Sequence, residues 1–322
     1  MNRYHLFHTT EFVYDGAVYE SYNEVRLRPI HDDRQSCVSF RLVTQPVSRG
    51  ASFKDGYENW THHFNILPNH RHLRIEAESV VLVHEVPEAQ PGGMTLSELD
   101  AKRGKLADEN YDWMAPSSYV PLLPALSEII EAAEKASDET VSSFVQCASD
   151  FIHGNFAYMK GATHVHSSAA DSLALRAGVC QDFAHVLIGV LRVRGLPARY
   201  VSGYLVPGAA HADAKQEEVI GGQASHAWVE AFLPESGWIG FDPTLGKPVG
   251  FRHIRVAVGR DYGDVPPVRG VYKGHAGQRL SVDVRVRPAL DEGGCETLSE
   301  TCAGPEEVEP IAELPQQASQ QQ

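Results

Sequence analysis

One cysteine sits where chemistry is possible. In Ala177-Gly178-Val179-Cys180-Gln181-Asp182-Phe183-Ala184, Cys180 lies at the point where a short break gives way to a long apolar helical pattern. The unpaired N–H groups and positive dipole end of a helix favour a thiolate there, and the thiolate is the nucleophilic form of the side chain. Gly178 allows close backbone approach, and N–H groups around Cys180 can hold a developing oxyanion. The bland alternative, a small buried hydrophobe, describes most intracellular cysteines. A nucleophile also needs a base and a group that orients the base. His226, in Ala224-Ser225-His226-Ala227-Trp228-Val229-Glu230, is the candidate base, although in a chain with 16 histidines a single one carries little information. Asp242, in Gly237-Trp238-Ile239-Gly240-Phe241-Asp242-Pro243-Thr244, is the candidate orienter. Taken alone, an Asp before Pro is a turn former; in a triad it would hold the imidazole tautomer.

Three elements must position these residues. The apolar positions Phe183, Ala184, Leu187, Val190, Leu191 and Val193 predict a largely buried helix, and Gly195 followed by Pro197 predicts its stop, with Gly195 as a left-handed cap. Residues 226–232 and 238–242 read as two strands. If Leu233-Pro234-Glu235-Ser236-Gly237 connects them as a five-residue loop, Phe232 opposes Trp238 and Trp228 opposes Asp242. His226 then shares a face with Asp242 as a diagonal neighbour, with Cβ atoms about 7–8 Å apart or less. A four-residue loop would put the two on opposite faces.

The rest of the chain divides by pattern. Residues 1–92 alternate with period two, as in Arg3-Tyr4-His5-Leu6-Phe7-His8 and His72-Leu73-Arg74-Ile75-Glu76-Ala77-Glu78, and predict a β-rich, sandwich-like domain. Pro91-Gly92-Gly93 breaks it. Residues 93–139 read as a linker with short helices, including a helical pattern over 122–136. A core follows over 140–290, beginning with an amphipathic helix over 140–153 and ending with strands near 253–258 and 280–286. Residues 291–322, rich in Glu, Gly and Gln, read as a disordered tail.

With Cys180, His226 and Asp242 in that order, each inside its motif, the chain resembles the transglutaminase-like superfamily over about residues 1–290. Residues 1–92 resemble the N-terminal region of its bacterial two-part members. The segment His253-Ile254-Arg255-Val256-Ala257-Val258-Gly259-Arg260-Asp261-Tyr262 is similar to that group as well. The resemblance implies an α+β fold with a papain-like core, a catalytic triad of Cys180, His226 and Asp242, and acyl transfer through a thioester on Cys180. It leaves the acceptor open. Water gives a peptidase or amidase, an amine gives a cross-linking transferase, and a non-catalytic peptide-binding module is a third reading. Eukaryotic transglutaminases have Trp after the nucleophile; Gln181 stands there in this chain, which weighs against cross-linking.

Other signals are weaker. Gln181 and Tyr158 are oxyanion or cleft candidates by adjacency. Asp182 reads as a charge at a helix start, and His185 as a core histidine. The pairs His62–His63, His70–His72 and His164–His166 lack a completing Cys or carboxylate, so no metal is expected and no cofactor is implied. The glycine-rich stretch 207–224 is a lid or a plain loop. A net charge of -14 disfavours nucleic acid. No stretch reaches the ~20 apolar residues of a membrane helix, so no membrane partner is expected; the expected partner is a peptide or protein amide substrate. Five scattered cysteines, Cys295 and Cys302 in the tail among them, and a start without a signal-like apolar core point to a cytoplasmic protein with reduced thiols.

Overall fold

A computed structural model describes residues 2–84, 86–88, 93–207 and 225–289. The expected tail, most of the 207–224 stretch, and Cys295 and Cys302 lie outside the described residues.

The chain opens with β1 (Asn2–Val25), β2 (Gln35–Gln45), β3 (Gly50–Lys54), β4 (Trp60–Ile66) and β5 (His70–Val83). β1 serves two halves of one sheet. Its first part pairs with β5, which pairs with β2, and its last part pairs with β4, which pairs with β3. The register shifts between Val13 and Val18, where the strand bends. Alternation decides which side faces in: Tyr4, Leu6, His8 and Thr10 are buried and Phe7 points out. His8 tolerates burial because its Nδ1 lies 2.9 Å from the Tyr204 hydroxyl and its Nε2 2.9 Å from Thr10 Oγ1. Val25, Leu27, Phe64, Ile66, Leu73 and Ile75 fill the space between the halves.

Helices follow: α1 (Leu96–Glu109), α2 (Tyr111–Met114), α3 (Ser127–Ala136) and α4 (Val141–Asn155). The sequence pattern shows α1 poorly, because only Leu99 and Leu106 are buried along it. What starts it is a capping box, with Thr95 accepting from the Glu98 N–H and Glu98 from that of Thr95. The remaining elements are β6 (Ala157–Tyr158), α5 (Ala169–Leu175), β7 (Ala177–Gly178), α6 (Cys180–Arg194), β8 (Ala198–Leu205), β9 (His226–Leu233), β10 (Gly237–Asp242), β11 (Lys247–Pro248), β12 (His253–Gly259), β13 (Val268–Lys273) and β14 (Gln278–Pro288).

α6 packs with α4 on an antiparallel sheet of order β11-β10-β9-β8-β12, giving the α+β core. Gly195 caps α6 in the left-handed conformation, φ 96°. The helix is buried almost all round, even at Arg192, whose guanidinium donates to the carbonyls of Trp113, Ala115, Ala198 and Arg260. β13 and β14, which follow the core in sequence, return to pair with β1. Residues 268–288 therefore belong to the first sheet, not to the core in which the sequence pattern put them.

The first sheet also seals the open edge of β12. Gln35 accepts from the Arg255 N–H at 2.9 Å and donates to its carbonyl at 2.8 Å. Asn59 does the same for Val258, at 2.7 and 2.8 Å. Two side-chain amides thus stand in for a neighbouring strand. Tyr4, Leu6, Val81 and Val83 pack on Tyr204, Ile254 and Val256 beside them.

At Gly203, where β8 passes between β9 and β12, an added Cβ would lie 2.2 Å from the Ile254 carbonyl oxygen and 2.5 Å from the Trp228 ring. Gly203→Ala is expected to destabilise the protein by about 1–3 kcal/mol or more, read by urea denaturation. An unchanged midpoint would mean that β8 and β12 do not pack this closely.

Candidate active site

Cys180 is the first residue of α6, after Val179 in extended conformation. The turn is held by Asp182, whose Oδ2 accepts from the Val179 N–H at 2.8 Å and the Thr163 hydroxyl at 2.6 Å. Gly178 is required there, since a Cβ would stand 2.6 Å from the Asp182 carboxyl. Burial raises the Asp182 pKa against those two hydrogen bonds. Its other oxygen, Oδ1, is buried with no hydrogen-bond partner. Asp182 thus builds the turn that presents Cys180. Cys180 itself is partly buried and is a free thiol, as are Cys37 and Cys147.

Tyr158, on β6, pairs in parallel with Gly178 of β7, so its strand runs beside the approach to Cys180. Its ring meets Phe183 edge-on. Burial raises its pKa, and the negative charges of Cys180, Asp182 and Asp242 raise it further. A protonated hydroxyl therefore stands within the field of the site. The Gln181 amide, by contrast, is turned to the 163–167 segment, where Nε2 donates to the Val165 carbonyl at 3.1 Å.

The hairpin of β9 and β10 has the register that the odd connection requires: Phe232 opposes Trp238 and Val229 opposes Phe241. Gly237, at φ 73°, makes the turn possible. His226 and Asp242 consequently meet, Nε2 to Oδ2 at 2.8 Å, with both side chains fully buried. The other carboxylate oxygen, Oδ1, accepts from the N–H groups of Thr244 at 2.9 Å and Leu245 at 3.2 Å. Burial pushes the Asp242 pKa up, but His226 and His253 outweigh it and hold the carboxyl well below the usual carboxylate range. Burial likewise opposes a charge on His226, and the charges of Asp242 and Cys180 overcome it, raising its pKa to about 10. With Nε2–H committed to Asp242, Nδ1 is the nitrogen left for Cys180. Nδ1 is buried and makes no hydrogen bond of ordinary geometry; the Cys180 sulfur is the neighbour whose hydrogen bonding and charge favour its proton. Such contacts are often long before substrate binds.

His253 is the residue that sequence reasoning missed. Its Nε2 lies 3.0 Å from Asp242 Oδ2, the oxygen that also receives His226. The sequence signals were its place at the head of a strand and within a segment similar to the bacterial group, and neither assigned it a role. β12 is separated from β10 by two strands in the sheet, so no pairing rule connects the two residues.

His226, Asp242 and His253 also form a group whose three ligand atoms lie within 4.8 Å of one another, the arrangement a metal ion could use. The surroundings of His253 oppose that use. The Gly250 N–H points at His253 Nδ1 at 3.2 Å, which leaves the ring proton on Nε2, the atom a metal would need. Among the described residues, the pairs His62–His63, His70–His72 and His164–His166 gather no third ligand. His185 is fully buried, accepts from the Tyr262 N–H, and is pushed by burial down to about 3. No helix among the described residues is long and apolar enough to cross a membrane.

Two families match the chain: Transglutaminase-like superfamily over residues 129–243, and Bacterial transglutaminase-like N-terminal region over residues 4–82. An uncharacterized protein of Mycobacterium leprae is 32% identical over 289 residues, which are 89% of this chain and 99% of that protein. One of Mycobacterium tuberculosis is 33% identical over 312 residues, 89% of this chain and 93% of that protein. A protein-glutamine gamma-glutamyltransferase of Pseudomonas aeruginosa is 32% identical over 126 residues, 38% of this chain and 18% of that protein. A structure from Cytophaga hutchinsonii, described as a candidate cysteine protease, has a TM-score of 0.66 at 22% identity and covers 89% of this chain and 90% of that one, a likeness of fold.

The two shifts predict a pH dependence. A lowered Asp242 stabilises the fold above its unfolded value of 3.8, and a raised His226 stabilises it below 6.5 and ceases to as pH climbs through about 10. The stability gap between wild type and Asp242→Asn should be widest between those first two values and narrow toward pH 10. Urea denaturation across the range measures it; a gap that stays constant would show that His226 is not held protonated.

Proposed function

We propose that this chain, which belongs to the transglutaminase-like superfamily, is a thiol-dependent acyl-transfer enzyme that hydrolyses a peptide or isopeptide amide. The observation that carries the proposal is the buried His226–Asp242 pair behind a cysteine at a helix N-terminus. In this reading the Cys180 sulfur attacks the amide carbon while the first-turn N–H groups of α6 face the oxygen as it becomes anionic. The C–N bond breaks as His226 Nδ1 gives its proton to the departing amine, leaving a thioester on Cys180. Water then attacks the thioester and His226 takes its proton. The C–S bond breaks, the carboxylic acid leaves and the thiolate is restored. Asp242 stays ionised throughout, keeping the proton of His226 Nε2 in place so that Nδ1 is the atom that exchanges protons.

The partner is therefore a peptide or protein carrying the amide. We place the enzyme in the cytoplasm, a reading that the free thiols of Cys37, Cys147 and Cys180 support. Amine transfer is the second reading, favoured by the likeness to the Pseudomonas aeruginosa transferase. It differs only in the nucleophile that opens the thioester.

Cys180→Ala is expected to abolish turnover of an amide library, and His226→Ala to lower it by about 100- to 10,000-fold. Iodoacetamide should label Cys180 ahead of Cys37 and Cys147 near pH 6. Equal, slow labelling of all three would sink the activated thiol. Incorporation of a labelled primary amine into a glutamine peptide faster than its hydrolysis would move the assignment to transfer.

A further inference from the structure

We infer that His253 is a positioning residue of the same site, acting on His226 through Asp242, beside the ring contact of the two imidazoles at 6.1 Å. The inference rests on the reading of Cys180, His226 and Asp242 as the reacting set and adds a fourth residue to it. Three observations carry it.

The first is the direction of its hydrogen bonds. The Gly250 N–H donates to His253 Nδ1 at 3.2 Å, and the His253 N–H donates back to the Gly250 carbonyl at 3.0 Å. A nitrogen that accepts carries no proton, so in the neutral ring the proton sits on Nε2. Nε2 is therefore a donor, and its acceptor is Asp242 Oδ2 at 3.0 Å.

The second is the arrangement around the carboxylate. Oδ2 receives His226 and His253, and Oδ1 receives the N–H groups of Thr244 and Leu245. With four donors on two oxygens, the carboxylate cannot turn without breaking bonds. Removing His253 would leave Oδ2 with His226 alone and free Asp242 to rotate or take up a proton, and either event releases the His226 ring.

The third is the mounting of His253. The Trp228 ring meets the imidazole edge-on at 5.1 Å, and the side chain is 4% exposed. His253 heads β12, the strand whose far edge is held by Gln35 and Asn59. The ring is held between the Trp228 ring on one side and the Asp242 carboxylate on the other.

Two polar replacements separate its two bonds. His253→Gln places an amide donor near the Nε2 position and can still reach Asp242. His253→Asn places an acceptor near the Nδ1 position, keeps the Gly250 bond and cannot reach Asp242. Thermal melts confirm that both variants fold. With an amide substrate, His253→Asn is expected to lower kcat by about 10- to 100-fold, the size of one lost charge-assisted hydrogen bond. KM should hardly change, and His253→Gln should recover most of the rate. In an Asp242→Ala background, which removes both acceptor oxygens, His253→Asn should cost little further, because the carboxylate it acts through is gone. Iodoacetamide labelling of Cys180 near pH 6 should follow the same order without any substrate. If wild type shows neither turnover nor selective labelling, the enzymatic reading itself fails. If wild type shows them and His253→Asn matches it, or the Gln variant is as impaired as the Asn variant, or the losses add in full in the Asp242→Ala background, the role of His253 is overturned.

Discussion

The site depends on one buried carboxylate. Asp242 is wholly removed from water, and an ion placed so deep costs several kcal/mol unless donors replace its hydration. Here four N–H groups do so, two from the backbone just beyond β10 and two from imidazoles. The outcome is an anion with no rotational freedom and no reason to take up a proton. Its field decides the state of His226, whose own burial would otherwise strip it of charge. Protonation, tautomer and direction of the His226 ring all follow from where this carboxylate is and what surrounds it.

That arrangement needs strands which do not slip, and the first sheet supplies the restraint. β12 is an edge strand of the core sheet, and unpaired edges invite fraying and misplaced pairing. Gln35 and Asn59 each satisfy both backbone groups of one β12 residue. Beside them Glu230, buried in β9, is ringed by Arg34, Arg199 and Arg255. These guanidiniums outweigh its desolvation and hold its pKa low. Arg199 and Arg255 come from the core and Arg34, at 3.4 Å, from the first sheet's side, so this buried charge ties the two parts together. The N-terminal region is therefore part of the support of the site.

Much of this could be read from the residues in order. The period-two segments became strands, the apolar stripe Val141, Phe144, Val145, Ala148, Phe151 and Ile152 of the helix expected over 140–153 became the inner face of α4 with Phe151 only partly buried, and Gly195 ended α6 as expected. The register that joins His226 to Asp242 followed from counting residues through one short connection. Where reading failed, the cause was distance along the chain or a residue that breaks its own stereotype. β13 and β14 alternate like any strand, and nothing local says that they return to β1. Arg192 interrupts an apolar helix as a surface residue would, yet it is buried because four carbonyls from other segments converge on it. Gln35 and Arg255, which pair as though in one ladder, are 220 positions apart.

The sequence by itself determined the local devices: which segment is a helix, where it starts, that a cysteine stands at its first turn, and that a histidine and an aspartate share one face of a hairpin if its connection is odd. Each of these rests on steric and hydrogen-bonding preferences that act over a few residues. Only the tertiary structure decided that a second histidine would share the aspartate, and that two amides from the distant N-terminal region would hold its strand. Those facts depend on the satisfaction of buried polar groups, and such a group takes whatever partner packing brings to it, at any separation along the chain.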